Sequence, residues 1–266
     1  MDDQHFRQLL IQLEFSWSGY RKVRKGVKKR IRRHMQKIGC HTTTSYLEKI
    51  KYKPEIREEC ERLMTVSISR FFRDRQFWLT LQKKLLPDMI NLKRESARVW
   101  SAGCACGEEV YSFNMVWDCM KKSNENLPEI EITATDLNPV VLEKAKAGVY
   151  RAGSLKEVPS ELRSLYFDTK SGGTLFEVKH VIKKNITWKH HHILKDPPGS
   201  IFDIIFLRNN LLTYYQDRQK KAAFTKIVDC LSPSGVLIIG SNELLPFDTD
   251  QLVPVTPYQY VFRKDA

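Results

Sequence analysis

Residues 98–118, RVWSAGCACGEEVYSFNMVWD, open as an apolar strand, break at Gly103 and Gly107, and resume as a helix whose first residues are Glu108 and Glu109. Strand, glycine turn and helix start resemble the first turn of a doubly wound nucleotide fold, where small residues let a ligand approach the backbone. A phosphate-bearing ligand favours amide donors at the helix N-terminus and often a lysine, as in Gly-Lys-Ser. Two glutamates at that position repel it. The ordinary role of such acids is to complement the helix dipole, worth about 0.3–1 kcal/mol. The functional alternative is a ligand that carries positive charge and no phosphate at this point.

The next strand, IEITATD (130–136), ends in Asp136, where an acid can accept both hydroxyls of a ribose. A sulfonium, an ammonium and a ribose without phosphate describe S-adenosylmethionine, and the acids at two strand ends favour it as cofactor. NITWKHH (185–191), FDIIFLRN (202–209) and GVLIIGS (235–241) are further strands. They alternate with the helical segments 108–122, 138–148 and 218–231, which predicts an α/β fold with a mostly parallel sheet covered on both faces. Trp100 and Trp188 read as core. Arg208 and Asn209 follow an apolar strand, the place where open parallel sheets collect ligand residues. Asp203 reads as a strand-start cap. The pattern is interrupted at 166–184, where Gly172-Gly173 separates two alternating segments and predicts a small antiparallel hairpin, giving a β insert at 166–185. The tail PYQYVFRK predicts a last strand antiparallel to the others.

Upstream, LLIQLEF, SYLEKI and FWLTLQKKLLP space their apolar residues three and four apart, which predicts helices. The expected organisation is a helical N-terminal domain at 1–86, a linker at 87–97 and a methyltransferase domain at 98–266. The basic run at 20–37 holds ten lysines and arginines with no acid among them. Unrelieved repulsion along a helix favours an acidic partner over a solvated face, and Lys28, Lys29, Arg32 and Arg33 are the candidate docking residues. A net charge of +13 admits nucleic acid, an anionic membrane or an acidic protein surface. No run approaches the ~20 apolar residues of a membrane span, and the start lacks the pattern of a signal peptide, so a cytoplasmic protein is expected. The six cysteines show neither a disulfide framework nor zinc-finger spacing. His190, His191 and His192 are consecutive on a strand and point to alternate faces, so no metal site is expected there. A monomer is expected, since no exposed apolar stripe or heptad is evident.

Four blocks carry a family resemblance. VSISRFFRDRQFW (66–78), the stretch 98–115, ITATDLNPVVLEKAKAGVYRAGSLKEVPSELRSLYF (132–167) and the stretch 202–243 resemble, in order, the chemotaxis receptor methyltransferases, the CheR family. The resemblance implies a helical N-terminal domain, a Rossmann-like S-adenosylmethionine methyltransferase sheet and a small antiparallel insert. It also implies methyl transfer to glutamate side chains on the cytoplasmic helices of chemoreceptors, with S-adenosylhomocysteine as product. By motif, Arg73 resembles the arginine beside the transferred methyl, Glu109 the acid that meets the cofactor's ammonium, and Asp136 the one that holds the ribose. Ser67 and Ser69 stand where the family offers small polar contacts, Gly103 in its glycine loop, and Arg208 with Asn209 as the pair after the fourth strand. Tyr214 is similar to the tyrosine that closes this block, which is one residue longer than the common RNxxIYF form, so that Tyr214 or Tyr215 can take the active position. The family's asparagine before Leu-Leu is His192 here, leaving base recognition to His192 and the Ile193 and Leu194 backbone. The family's GHSE is Gly240-Ser241-Asn242-Glu243.

A glutamate is ionised at neutral pH, so in-line attack on a sulfonium methyl needs no general base. Arg73, Arg208 and Tyr214 are then the candidate catalytic residues, acting on the incoming carboxylate without covalent participation. The rival readings are an RNA or DNA methyltransferase and a cofactor-binding adaptor without turnover. Against the former, no Asn-Pro-Pro-Tyr type motif and no Pro-Cys dipeptide occurs, and NPVV at Asn138 has the wrong continuation.

Overall fold

The computed structural model describes residues 1–89, 95–199 and 201–265. Its N-terminal third is helical: α1 (Asp3–Gln12), α2 (Arg24–Lys37), α3 (Thr43–Tyr52), α4 (Pro54–Met64), α5 (Arg75–Thr80), a π turn over Leu81–Leu85, and α6 (Leu86–Met89). Local chemistry sets several starts. Asp2 and Thr42 cap α1 and α3 by accepting from the His5 and Ser45 amides, and Pro54 sits in the first turn of α4. Within the linker expected at 87–97, residues 87–89 belong to α6, β1 begins at Ser96, and residues 90–94 lie outside the described residues.

The alternating half follows as β1 (Ser96–Ala102), α7 (Glu108–Ser123), β2 (Glu129–Asp136), α8 (Pro139–Ala147), β3 (Val149–Arg151), α9 (Ser160–Tyr166), β4 (Phe167–Lys170), β5 (Leu175–Val178), β6 (Ile186–His190), β7 (Phe202–Leu207), α10 (Leu211–Tyr214), α11 (Asp217–Asp229), β8 (Leu231–Ile239), β9 (Leu252–Val255) and β10 (Tyr258–Lys264). NPVVLEKAKAG carries all the signals of one helix. Asn138 caps α8 by accepting from the Val140 amide, Pro139 fixes the first turn, and Gly148 ends it at φ 65°.

The large sheet has seven strands in the order β6-β2-β1-β7-β8-β10-β9. The first five run parallel, and β10 and β9 close the edge antiparallel, as the tail's alternation predicts. From β1 the chain winds outward through β2 to β6, then returns to place β7 on the other side of β1. The strand order thus reverses between β1 and β7, and a crevice opens at their C-terminal ends. Asp203 fixes the register below it, accepting from the Arg98 amide at 2.9 Å and the Ser232 hydroxyl at 2.9 Å, which joins β1, β7 and β8. The small sheet has the order β3-β5-β4. Its hairpin lies where the Gly172-Gly173 turn predicts it. Its third strand, β3, comes from ahead of the 166–185 segment, three residues being too short to read as a strand.

Both faces of the large sheet are covered, and side chains alternate between them. Trp100, Ala102, Ile205, Leu207, Leu237 and Ile239 pack with α1–α4 and α11; Val99, Ile204, Phe206, Val236 and Ile238 pack with α5, α7 and the small sheet. Trp100 is fully buried and Trp188 partly so. The helices expected as one unit at 1–86 are therefore divided: Phe6 to Met64 belong to the first core, Phe71 to Leu86 to the second. Residues 65–74 carry the chain from one face to the other, and they do so across the crevice.

Candidate active site

The crevice is walled on one side by the loop after β1. Gly103 (φ 85°), Ala105 (φ 50°) and Gly107 (φ 88°) turn the chain back on itself before α7. A Cβ on Gly103 would lie 2.0 Å from the Asn210 side-chain nitrogen, so only glycine lets the loops after β1 and β7 meet. The Gly103 and Cys104 amides both donate to the Thr135 carbonyl at 2.8 Å. Asp136 then accepts from the Ala105 amide at 3.0 Å and the Asn138 amide at 2.8 Å. Its burial raises the carboxyl above the usual aspartate value of 3.8, and these two amides oppose the shift.

Glu109, in the first turn of α7, accepts from the Ser101 hydroxyl at 2.9 Å and from Arg208 at 3.3 Å. Glu108 is buried, with Oε2 unpartnered. Burial raises its carboxyl. With no lysine in the loop and acids at the helix start, this wall repels phosphate. A ligand with a ribose and a cationic amino-acid end fits it, because Asp136 offers acceptors to hydroxyls and Glu109 a carboxylate to an ammonium.

The opposite wall is the turn after β7. Arg208, 9% exposed, spans Glu109 and Asp74, the latter at 2.6 Å, and lies 4.4 Å over the Phe77 ring. Asn209 takes a left-handed conformation at φ 53°. Buried Glu243 holds it there, accepting from the Asn209 and Gly240 amides at 2.8 Å each and from the Thr213 hydroxyl. The GSNE segment thus acts through its last residue. Tyr214 lines the crevice facing Tyr20, with ring centroids 5.0 Å apart, and burial raises its hydroxyl, a shift that Arg73 opposes. Tyr215 lines the same crevice from the Phe15 side, at 4.8 Å.

Residues 65–74 form the roof, and the N-terminal segment completes the wall. Thr65, Val66, Ser67, Ile68, Ser69, Arg70 and Arg73 line the crevice in succession. Phe71 and Phe72 anchor this roof as core residues, while Arg73 is exposed and makes no ion pair with a described carboxylate. Phe15 and Tyr20 line the interior, and Arg21 and Lys22 line the mouth. The Ser16 amide donates to the Tyr214 carbonyl at 2.7 Å. Gly19 is so close to α10 that a Cβ there would stand 2.1 Å from the Thr213 oxygen. Among the described non-glycine residues with positive φ, Ala105 and Asn209 line the crevice, and Phe72 and Asp74 flank the lining residue Arg73, the clustering expected of a functional site.

The crevice has two communicating parts. The inner part is bordered by Ser67, Gly103, Asp136, Ile193, Asn209 and Tyr214. The outer part is bordered by Ser69, Arg73, Gly103, Glu109, Arg208, Asn209 and Tyr214. His192 is the site candidate outside both. Its ring faces Glu61 of α4 at 3.5 Å, and its neighbour His191 lines the inner part instead. The three consecutive histidines go to three partners, Leu137 O, Asp196 O and Glu61. Arg208 reaches the crevice, but both of its Nη atoms are engaged by acids.

The basic run also divides. Val27, Ile31 and Met35 bury one face of α2, Lys28 pairs with Asp3 at 2.8 Å, and Arg30 donates to the Leu63 and Thr65 carbonyls. Lys29, Arg32 and Arg33 remain exposed. Sequence reading missed Asp74 and Ser101, gave Glu243 only as the end of the GSNE segment, and placed Arg21 and Lys22 in the basic run without bringing them to the crevice. The acid four residues beyond the last parallel strand was the available signal for Glu243.

A family model described as "CheR methyltransferase, SAM binding domain" matches residues 67–261. The Chemotaxis protein methyltransferase of Listeria monocytogenes is 32% identical over 217 residues, covering 82% of this chain and 80% of that protein. Chemotaxis protein methyltransferase Cher2 of Pseudomonas putida is 31% identical, covering 82% of each, and Chemotaxis protein methyltransferase 1 of Pseudomonas aeruginosa is 30% identical, covering 82% and 81%. The chain belongs to the CheR methyltransferase family and is an S-adenosylmethionine-dependent methyltransferase.

Proposed function

We propose that the protein esterifies glutamate side chains on the cytoplasmic helices of chemoreceptors. One observation carries this reading: the acid-walled part of the crevice opens directly onto a mouth lined by Arg21, Lys22, Arg70 and Arg73. An acidic substrate is drawn to that mouth, and the names of the relatives support a chemotaxis protein as that substrate.

The bound cofactor supplies an electrophilic methyl group on a sulfonium. Asp136 holds the ribose end through the oxygens that also accept the Ala105 and Asn138 amides, and Glu109 receives the ammonium. Ser67, Ser69, Gly103, Ile193 and Asn209 border the remainder, while His192, turned to Glu61, is left out of the contact set. The substrate carboxylate arrives ionised, so no residue takes a proton from it. Arg73 pairs with one oxygen and leaves the other free for in-line attack. Tyr214, a phenol that is protonated at neutral pH, donates a hydrogen bond at the same end. Arg208 acts from behind through Glu109 and Asp74. The roof and the Phe15–Tyr20 wall exclude water, which strengthens these contacts. The exposed Lys29, Arg32 and Arg33 extend the basic surface along α2, where an acidic helix meets several weak pairs that steer encounter.

Incubation with methyl-labelled S-adenosylmethionine and receptor cytoplasmic fragments tests this. Label incorporated into the fragment and released as methanol by mild alkali is expected, since carboxyl esters hydrolyse under those conditions. Alkali-stable label would assign the transfer to another acceptor atom.

A further inference from the structure

The Arg73 side chain donates only to the Ile68 carbonyl, at 3.4 Å, among the described residues, so its position is set mainly by the turn that carries it. The residues on either side of it, Phe72 at φ 50° and Asp74 at φ 62°, are both left-handed, a conformation that persists only where the surroundings over-determine it. The surroundings are explicit. The Phe72 amide donates to the Ser112 hydroxyl at 2.9 Å, the Trp78 indole donates to the Arg73 carbonyl at 2.8 Å, and the Phe77 amide donates to the Asp74 carbonyl at 2.7 Å. Among the described residues, the long-range polar tie from this turn to the sheet is the Asp74 side chain, which receives Arg208 Nη2. Arg208 is in turn the group that touches Glu109. Four charges therefore run in alternating sign across the crevice: Glu109, Arg208, Asp74 and, one residue on, Arg73.

We propose that Asp74 is a positioning residue: through Arg208 it fixes Arg73 at the substrate end and keeps Glu109 available at the cofactor end, so that the two ends are set together. The inference rests on the assignment of Arg73 to the substrate end. Its physical basis is competition for a buried cation. Arg208 lies in a nearly closed site and requires carboxylate partners there. With two of them, neither binds it fully, and Glu109 at 3.3 Å retains capacity for a ligand's ammonium. Neutralising Asp74 leaves Arg208 to close on Glu109 alone and releases the turn that carries Arg73.

Asp74→Asn, nearly isosteric, tests this. Its turnover is expected to fall about tenfold to a hundredfold, the cost of a small misplacement at a reacting centre. Cofactor affinity, measured calorimetrically, should fall severalfold. In an Arg73→Ala background the same substitution should cause no further fall in turnover, yet still weaken cofactor binding, because two residues acting as one unit are not additive. In the protein without ligand, trypsin should cut after Arg70 faster in Asp74→Asn than in wild type, and Asp74→Glu should restore resistance and part of the rate. A full further fall in the Arg73→Ala background overturns the proposal, as does unchanged cutting together with unchanged cofactor affinity. The proteolysis and calorimetry need no methyl acceptor, so a failure to find alkali-labile ester leaves them standing and counts against glutamate esterification alone.

Discussion

At the inner end of the crevice the charged groups are acids held by the backbone; at the mouth they are bases on long exposed side chains. Asp136 accepts two amides from the loops it joins and is 9% exposed, whereas Arg70 and Arg73 carry no described carboxylate partner. A preorganised, desolvated group sets affinity, because its reorganisation is complete before the ligand arrives. Exposed and mobile charges set encounter and are screened by salt. The inner end is thus built for one ligand, and the mouth for a class of ligands.

The difference between the ends breaks first at Asp136. Asp136→Ala should weaken S-adenosylmethionine binding by about 3 kcal/mol, since a charge-assisted acceptor is lost and two loop amides lose their partner. Calorimetric titration measures it, and unchanged affinity would erase the distinction drawn here. Acidification acts on the same group. Burial raises the folded-state value of Asp136, so its ionised form costs stability at neutral pH, and that cost is relieved as pH falls through the raised value. The acceptor charge disappears over the same window. Cofactor affinity should therefore begin to fall at a higher pH than an ordinary aspartate dictates, while the contribution of Asp136 to unfolding stability moves the opposite way. Parallel titrations of binding and unfolding check the signs.

Glu243 ranks next. Glu243→Ala strands the Asn209 and Gly240 amides in a buried site and should destabilise the fold by about 2 kcal/mol. Chemical denaturation reads the loss, and cofactor affinity should fall with it because Asn209 borders both parts of the crevice. The smallest effect belongs to the mouth. Arg21→Glu with Lys22→Glu should raise KM for receptor fragments by no more than ~1 kcal/mol per charge at low salt, with the effect fading at high salt and cofactor affinity untouched. A salt-independent loss would mean that these side chains form fixed contacts, as the inner acids do.

Strand and helix alternation was legible because each element carries its own signals: an apolar run such as FDIIFL for a strand buried on both faces, and asparagine, proline and glycine around α8. Asp136 and Glu109 could be placed at the sheet's C-terminal end for a similar reason, since one closes its strand and the other opens the helix after the glycine loop. What escaped depends on distance along the chain. Asp74 and Arg208 are 134 residues apart, and nothing local to either marks the pair. The passage of 65–74 from one face of the sheet to the other is likewise invisible to periodicity, which reports an apolar face but not the surface it packs against. His192 and His191 alternate along the chain, and which of them turns to the crevice is decided by Glu61 on a distant helix. The missing acid in the basic run was supplied by α1, through Asp3.

Gly19 marks a part of the chain that cannot be cut away from the sheet. The matched span runs from Ser67 to residue 261, and a fragment cut to that span would contain the strands of the large sheet except the end of β10. It would lack Phe15, Tyr20 and the strand-like link of Phe15 to Tyr215, and with them part of the inner wall of the crevice. The smallest portable unit of this enzyme is therefore larger than the span that the family model matches. Fusions, split versions and domain grafts should carry the first twenty residues with the sheet, and a bulky residue at position 19 should mimic their removal by prising that edge away from Thr213.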